Sequence, residues 1–122
     1  MIADDNAFIR RGIASLLSRD VAFEVCGEAA NGAEALQQVD QLKPDVILLD
    51  ISMPDLNGLD VARALSQKQL GLKIVIVSEH DVRLMLPRAL QAGAHGCIDK
   101  SRLATDLLPS LRTLGNGTPI HP

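Results

Sequence analysis

The sequence predicts an α/β domain built on a doubly wound parallel sheet, and three observations carry that expectation. Two apolar runs, Val46-Ile47-Leu48-Leu49 and Ile74-Val75-Ile76-Val77, are unbroken, as in strands buried on both faces. Stretches with apolar residues at helical spacing separate these runs from each other and from the other strand candidates. The strand-helix alternation repeats five times, which implies a parallel sheet with right-handed crossovers and helices on both faces.

Each element has its own signal. Ile2-Ala3 is a short strand running directly into Asp4-Asp5-Asn6. A usual strand has ~5–6 residues, so either the natural chain starts further upstream or the sheet has a stunted central strand. Ala7, Phe8, Ile9, Ile13, Leu16 and Leu17 follow helical spacing, with Asn6 placed to cap. Phe23-Glu24-Val25-Cys26-Gly27 alternates and predicts a second strand near an edge. Asn31-Gly32-Ala33-Glu34 resembles a capping box, and Ala35, Leu36, Val39 and Leu42 carry the helix behind it. The central strand ends at Asp50, and Pro54 with Asn57-Gly58 forces a loop. A third helix is predicted from about Gly58 to Gln67, and a fourth strand ends at Ser78. Val82 to Ala92 reads as a helix stopped by Gly93, and Gly96-Cys97-Ile98-Asp99 as a last strand ending at Lys100. Leu103, Leu107, Leu111 and Leu114 line a final helix stopped by Gly115 and Gly117. Residues 1–115 form the predicted domain, and 116–122 read as the start of a linker.

Composition narrows the function classes. The 122 residues are 47% hydrophobic and 22% charged, enough for one buried core. A net charge of -3 gives no electrostatic sign of nucleic-acid binding by this chain. Phe8 and Phe23 are the sole aromatics, so the core must be Leu, Ile, Val and Ala. No apolar run approaches ~18 residues, so no membrane span is expected, and no signal-peptide pattern stands at the N-terminus. Cys26 and Cys97 fall in separate predicted strands and read as unpaired core thiols of a reducing cytoplasm. His80, His95 and His121 show no metal-ligand spacing.

The strand ends gather chemistry. They read Asp4-Asp5, Asp50, Ser78 and Lys100. In open α/β sheets, ligands bind at the carboxyl ends of strands. Taken alone, each residue has a plainer reading: Ser78 caps a strand, Lys100 is a surface lysine, and Asp4-Asp5 favours a helix dipole. Together they place three carboxylates, a hydroxyl and an ammonium on one rim. Crowded carboxylates repel unless a cation sits among them. Oxygen ligands suit Mg²⁺, which is held by one or two carboxylates plus phosphate oxygens. The lysine and the hydroxyl are partners for a phosphoryl group. The site therefore reads as a carboxylate nucleophile, a magnesium clamp and two stabilisers of phosphate oxygens.

At Ile2-Ala3-Asp4-Asp5, Lys43-Pro44-Asp45-Val46-Ile47-Leu48-Leu49-Asp50-Ile51-Ser52-Met53-Pro54, Asn57-Gly58, Ser78, Ala92-Gly93-Ala94 and Lys100, the chain resembles the receiver domain of bacterial two-component response regulators. The wording around Asp50 and the ending Gly117-Thr118-Pro119-Ile120-His121-Pro122 resemble the LuxR-type (NarL/FixJ) subfamily. The resemblance implies a flavodoxin-like, CheY-like five-stranded sheet of order 2-1-3-4-5. It implies that Asp50 takes a phosphoryl group from a histidine kinase, and that Asp5, Asp50 and the Ser52 carbonyl bind Mg²⁺ directly, with Asp4 acting mainly through water. Ser78 and Lys100 would contact the phosphoryl oxygens. The implied partners are the sensor histidine kinase, a weak or phosphorylation-dependent second copy, and DNA reached only through a C-terminal helix-turn-helix that these residues do not include. The implied location is cytoplasmic, and such a domain catalyses only its own phosphorylation and dephosphorylation.

Three features depart from the family pattern. Cys97 stands where relatives carry Tyr or Phe, and Asp99 is charged where many are apolar; it reads as an exposed strand residue. Pro87 and Pro109 fall inside predicted helices, where proline loses a hydrogen bond and clashes with the preceding turn. The sequence therefore predicts a late start for the fourth helix, with Pro87 in its first turn, and a kink near Thr105 in the fifth. The resulting expectation is a switch that shifts or orders residues 79–86 rather than rotating a strand-five ring; the alternative is a regular, slightly bent helix with no signalling role. His80 and Glu79 border the site or lie in a solvated loop.

Three other readings fit these residues less well. A haloacid-dehalogenase-like phosphatase needs a second aspartate two residues after the nucleophile, where Ser52 stands. A pseudo-receiver lacks one of the acids, the hydroxyl or the lysine, and all are present. A flavin-binding flavodoxin-like site would set rim carboxylates against the phosphate.

Overall fold

A computed structural model describes residues 1–68, 71–79 and 81–114. The predicted linker at 116–122, the helix stops Gly115 and Gly117, and His80 and His121 lie outside the described residues. Five strands pair in the order β2-β1-β3-β4-β5. They are β1 (Ile2–Ala3), β2 (Glu28–Ala29), β3 (Val46–Asp50), β4 (Lys73–Ser78) and β5 (Gly96–Asp99). All pairings are parallel, as predicted. The helices are α1 (Ala7–Leu17), α2 (Gly32–Leu42), α3 (Gly58–Lys68), α4 (Val82–Gln91) and α5 (Leu103–Leu114), the last preceded by a 3₁₀ turn at Lys100–Arg102.

Successive β3 residues point to opposite faces, and each face has its own core. Ile47 and Leu49 pack with Ala35, Val39, Val61 and Ala62, on the side of α2, α3 and α4. Leu48 packs with Ile13, Leu17, Leu107 and Leu111, on the side of α1 and α5. Burial on both faces is why these strands read as continuous apolar runs. Both aromatics are outside the buried core: Phe8 is exposed and Phe23 only half-buried.

Capping defines the helix starts. Asn6 accepts from the amides of Phe8 and Ile9. Asn31 Oδ1 accepts from Glu34 N while its amide donates to Glu34 Oε2, the predicted capping box in side-chain form. Asn57 Oδ1 accepts from Asp60 N at the start of α3.

Three expectations are corrected. The second ladder is Glu28–Ala29, not Phe23 to Gly27. The predicted alternation is present, with 23, 25 and 27 half-buried and 24, 26 and 28 exposed. However, β1 offers only Ile2 and Ala3, in register with Glu28 and Ala29, so pairing reaches back no further than Gly27, whose carbonyl accepts from Ile2 N at 3.1 Å, and residues 23–26 lie beyond the end of the ladder. Cys26 stands on the outward side of that alternation and is an exposed thiol; only Cys97 is buried. The helix containing Pro87 starts at Val82, not late. Asp81 caps it by accepting from Arg83 N at 2.9 Å, and buried Val82 and Met85 hold its first turn on the core. The last helix is continuous from Leu103 to Leu114, with Pro109 inside it.

Candidate functional site

The sheet register brings the acids together. Ala3 pairs with Leu49, so the next residues of the two strands, Asp4 and Asp50, leave the sheet side by side. Asp50 pairs with Val77, and Ser78 with Asp99, so Ser78 and Lys100 complete the same rim. Asp4, Asp50 and Ser78 are buried polar residues, whereas Asp5 is exposed. Carboxylate oxygens of Asp4, Asp5 and Asp50 all lie within 4.8 Å of one another. Lys100 Nζ reaches this cluster at 2.9 Å from Asp4 Oδ2 and 3.5 Å from Asp50 Oδ1. Exposed Glu79 approaches the same ammonium at 3.9 Å.

Local chemistry fixes each position. Asp4 Oδ1 accepts from Asn6 N at 2.8 Å, closing the turn into α1. Arg10 Nη1 donates to the Asp4 carbonyl at 2.6 Å and its Nε to Glu28 Oε1 at 3.0 Å, tying α1 to the ends of β1 and β2. Behind Asp50, Gly58 N donates to Ile51 O at 2.9 Å. Only a glycine fits there, because a Cβ at Gly58 would stand 2.6 Å from Asp50 O and 2.8 Å from Ile51 Cα. Asp99 is half-buried rather than exposed, and caps the 3₁₀ turn that carries Lys100 by accepting from Ser101 N and Oγ. Ser52 is exposed, and its amide donates to Asp50 Oδ1 at 3.4 Å.

Burial, then the Asp4 charge, raises the Asp50 pKa above the ordinary carboxylate range; Lys100 and the Ser52 amide oppose the rise. Burial alone would lower the Lys100 pKa, but the Asp4 and Asp50 carboxylates outweigh it and the net direction is upward. Cys97, at the position of the missing aromatic, is fully buried, and burial followed by the Asp99 charge pushes its thiol up to about 11. It is an inert packing residue.

The residues fit a hard divalent cation. Asp4 Oδ2 is buried and accepts no hydrogen bond; its 2.9 Å approach to Lys100 is an ion-pair contact without hydrogen-bond geometry. The donor set is all oxygen, which suits Mg²⁺.

Two contributors escaped the sequence reading. Arg10 gives no sequence signal beyond lying on α1. Asp55 sits inside the motif around Asp50, but its partners are the amides of Gly32 and Ala33, at 2.8 and 2.9 Å and more than twenty positions upstream.

Residues 1–112 match the response regulator receiver domain. The transcriptional regulatory protein DegU of Brevibacillus brevis is 33% identical over all of this chain, which covers 52% of DegU. The chain thus spans about half the length of that curated relative. The signal receiver domain of the NarL response regulator of Mycobacterium tuberculosis superposes with a TM-score of 0.87 at 34% identity, covering 95% of this chain and 94% of that one. A LuxR-family two-component response regulator from Aurantimonas sp. SI85-9A1 gives 0.91 at 27% identity, covering 98% and 85%. With acids, hydroxyl and lysine on the rim of a sheet of this order, and a family match over nearly its whole length, the chain belongs to the receiver domain family of two-component response regulators.

Proposed function

We propose that this domain is a phosphorylation switch whose acceptor is Asp50. The observation that carries the reading is the buried Asp50 carboxylate, crowded by Asp4 and Asp5 and met by Lys100. Asp50 attacks the phosphorus of a phosphohistidine on a sensor histidine kinase. An O–P bond forms as the P–N bond breaks, and the imidazole leaves with the electron pair. Asp5, Asp50 and the Ser52 carbonyl would hold Mg²⁺, with Asp4 acting through water. The ion supplies charge that offsets the developing charge on the phosphoryl oxygens. Lys100 and Ser78 bind those oxygens. The domain catalyses only its own phosphorylation and dephosphorylation.

Residues 1–115 would act as the receiver and 116–122 as the lead into a DNA-binding output domain, as the length and LuxR-family character of its relatives support. Its partners would be the kinase and a second copy bound weakly or on phosphorylation, in the cytoplasm. Among the described residues no helix is long and apolar enough to cross a membrane. With Mg²⁺ and acetyl phosphate, intact mass should rise by one phosphoryl group in the wild type and not in Asp50→Asn. Equal labelling of both would overturn the reading.

A further inference from the structure

The loop after Asp50 is bolted to a helix that carries none of the site residues. Asp55 Oδ1 accepts from Gly32 N at 2.8 Å and Asp55 Oδ2 from Ala33 N at 2.9 Å. With Asn31 Oδ1 taking Glu34 N, the first three amides of α2 are all satisfied, two of them from across the molecule. A carboxylate at a helix N-terminus is further favoured by the helix dipole. The backbone amides of Gly32 and Ala33 hold the Asp55 carboxyl below its ordinary range. The docking is close: a Cβ at Gly32 would stand 2.8 Å from Leu56 Cβ, so a residue with a side chain would push the loop away.

The other end of the loop is pinned by Gly58 N on Ile51 O. Ser52, Met53 and Pro54 therefore span two fixed points, the Ile51–Gly58 bond and the Asp55 clasp. Resting on the reading above that the Ser52 carbonyl ligates Mg²⁺, we propose that Asp55 is a positioning residue for the metal site: by clasping α2 it holds Ser52 in place before the ion arrives. A ligand held by its own backbone loop binds better when that loop is already ordered, because less conformational entropy is lost on binding.

The clasp and the local cap can be separated. Asn31→Ala removes an N-terminal bond from the same helix without touching the loop. Asp55→Ala removes the clasp, and Asp55→Asn keeps one acceptor oxygen. Mg²⁺ affinity is read by titration calorimetry, helix and domain stability by thermal unfolding, and labelling by acetyl phosphate across a Mg²⁺ series. Asp55→Ala should weaken Mg²⁺ binding by about tenfold, the low end of what partners of metal ligands show. It should raise the Mg²⁺ concentration for half-maximal labelling while leaving the maximal rate near wild type. Asp55→Asn should fall between. Asn31→Ala should lower the unfolding temperature yet bind Mg²⁺ as the wild type does. Wild-type Mg²⁺ affinity in Asp55→Ala, or an equal loss in Asn31→Ala, would overturn the proposal. Absence of Mg²⁺ binding by the wild type would instead remove the reading on which it rests.

Discussion

Lys100 Nζ lies 2.9 Å from Asp4 Oδ2, closer than its 3.5 Å approach to Asp50 Oδ1. Among the described residues, no other cationic side chain forms an ion pair with either acid. The ammonium is thus the counter-charge of the acid pair before any metal binds. Both carboxylates are almost fully buried, with side-chain exposures of 2% and 4%. Removing one partner of such a pair leaves uncompensated buried charge. Lys100→Met should lower unfolding free energy in metal-free buffer by roughly 3 kcal/mol. Millimolar Mg²⁺ should recover part of the loss by supplying the missing positive charge. Urea unfolding followed by circular dichroism checks both; an unchanged midpoint would contradict the assignment.

Asp50 carries the opposite expectation. Its raised pKa means that the folded state disfavours the ionised carboxylate. Asp50→Asn should therefore be more stable than wild type without metal at neutral pH, although it loses the proposed phosphoacceptor. Mg²⁺ at a hundredfold its dissociation constant should stabilise the wild type by about 2.7 kcal/mol and the variant far less. Thermal unfolding with and without Mg²⁺ would show the order of the two proteins reversing or narrowing. A variant less stable than wild type in metal-free buffer would argue against crowding at this site.

Two glycines separate packing from propensity. At Gly58 a Cβ would meet backbone atoms of Asp50 and Ile51, which cannot swing aside. Gly58→Ala should cost roughly 1–3 kcal/mol and reduce labelling, since the strain falls on the proposed acceptor, Asp50. At Gly12, inside α1, nothing lies within 4 Å of the added atom. Gly12→Ala should stabilise by about 0.5–1 kcal/mol with labelling unchanged. The same sign for both substitutions in a denaturation series would defeat this account.

What the sequence showed of the site follows from strand periodicity. Buried strands end where their apolar runs end, so Asp4, Asp50, Ser78 and Lys100 could be placed on one rim without coordinates. The Asp55 clasp could not, because its partners are ordinary amides at the start of α2. Phe23 to Gly27 alternate as their sequence predicts, but residues 23–26 do not pair, since pairing depends on how far the neighbouring β1 extends. α4 does not start late because the cap from Asp81 and the burial of Val82 and Met85 outweigh the local preference of Pro87 for a first turn.

His95 gives a pH signature independent of the proposed phosphorylation site. Its Nδ1 accepts from Ile74 N at 3.1 Å, while its own N donates to Ile74 O at 2.7 Å, extending the β4–β5 edge. Burial, then the Lys73 charge, lowers its pKa below the ordinary 6.5. The unfolded chain thus takes up a proton before the folded one does. Its contribution to stability is whole above about pH 6.5, declines as pH falls below that value, and stops changing below the folded pKa. His95→Asn keeps an acceptor but cannot titrate. Between pH 7.5 and 5.5 the urea midpoint of the wild type should fall further than that of the variant. Equal falls would show that His95 titrates alike in both states.

Pro87 is the sixth residue of α4 and leaves the Arg83 carbonyl without its usual helical donor. The first turn is held instead by Asp81, whose carbonyl accepts from Leu84 N at 3.1 Å and Met85 N at 3.0 Å, and by buried Val82 and Met85. That turn is joined to the rest of α4 by fewer bonds than a regular helix would supply, so it should open with less cost than residues 88–91. Pro87→Ala restores the donor and removes the ring's clash with the preceding turn, against a smaller loss from a freer unfolded chain. The net should be a stabilisation of roughly 1–2 kcal/mol, with slower amide exchange at Leu84, Met85 and Leu86. If this turn is the part of the domain that phosphorylation shifts, exchange there should change on labelling the wild type and change less in Pro87→Ala. Exchange at Leu84 to Leu86 that ignores both the substitution and the phosphoryl group would assign Pro87 no part in the switch.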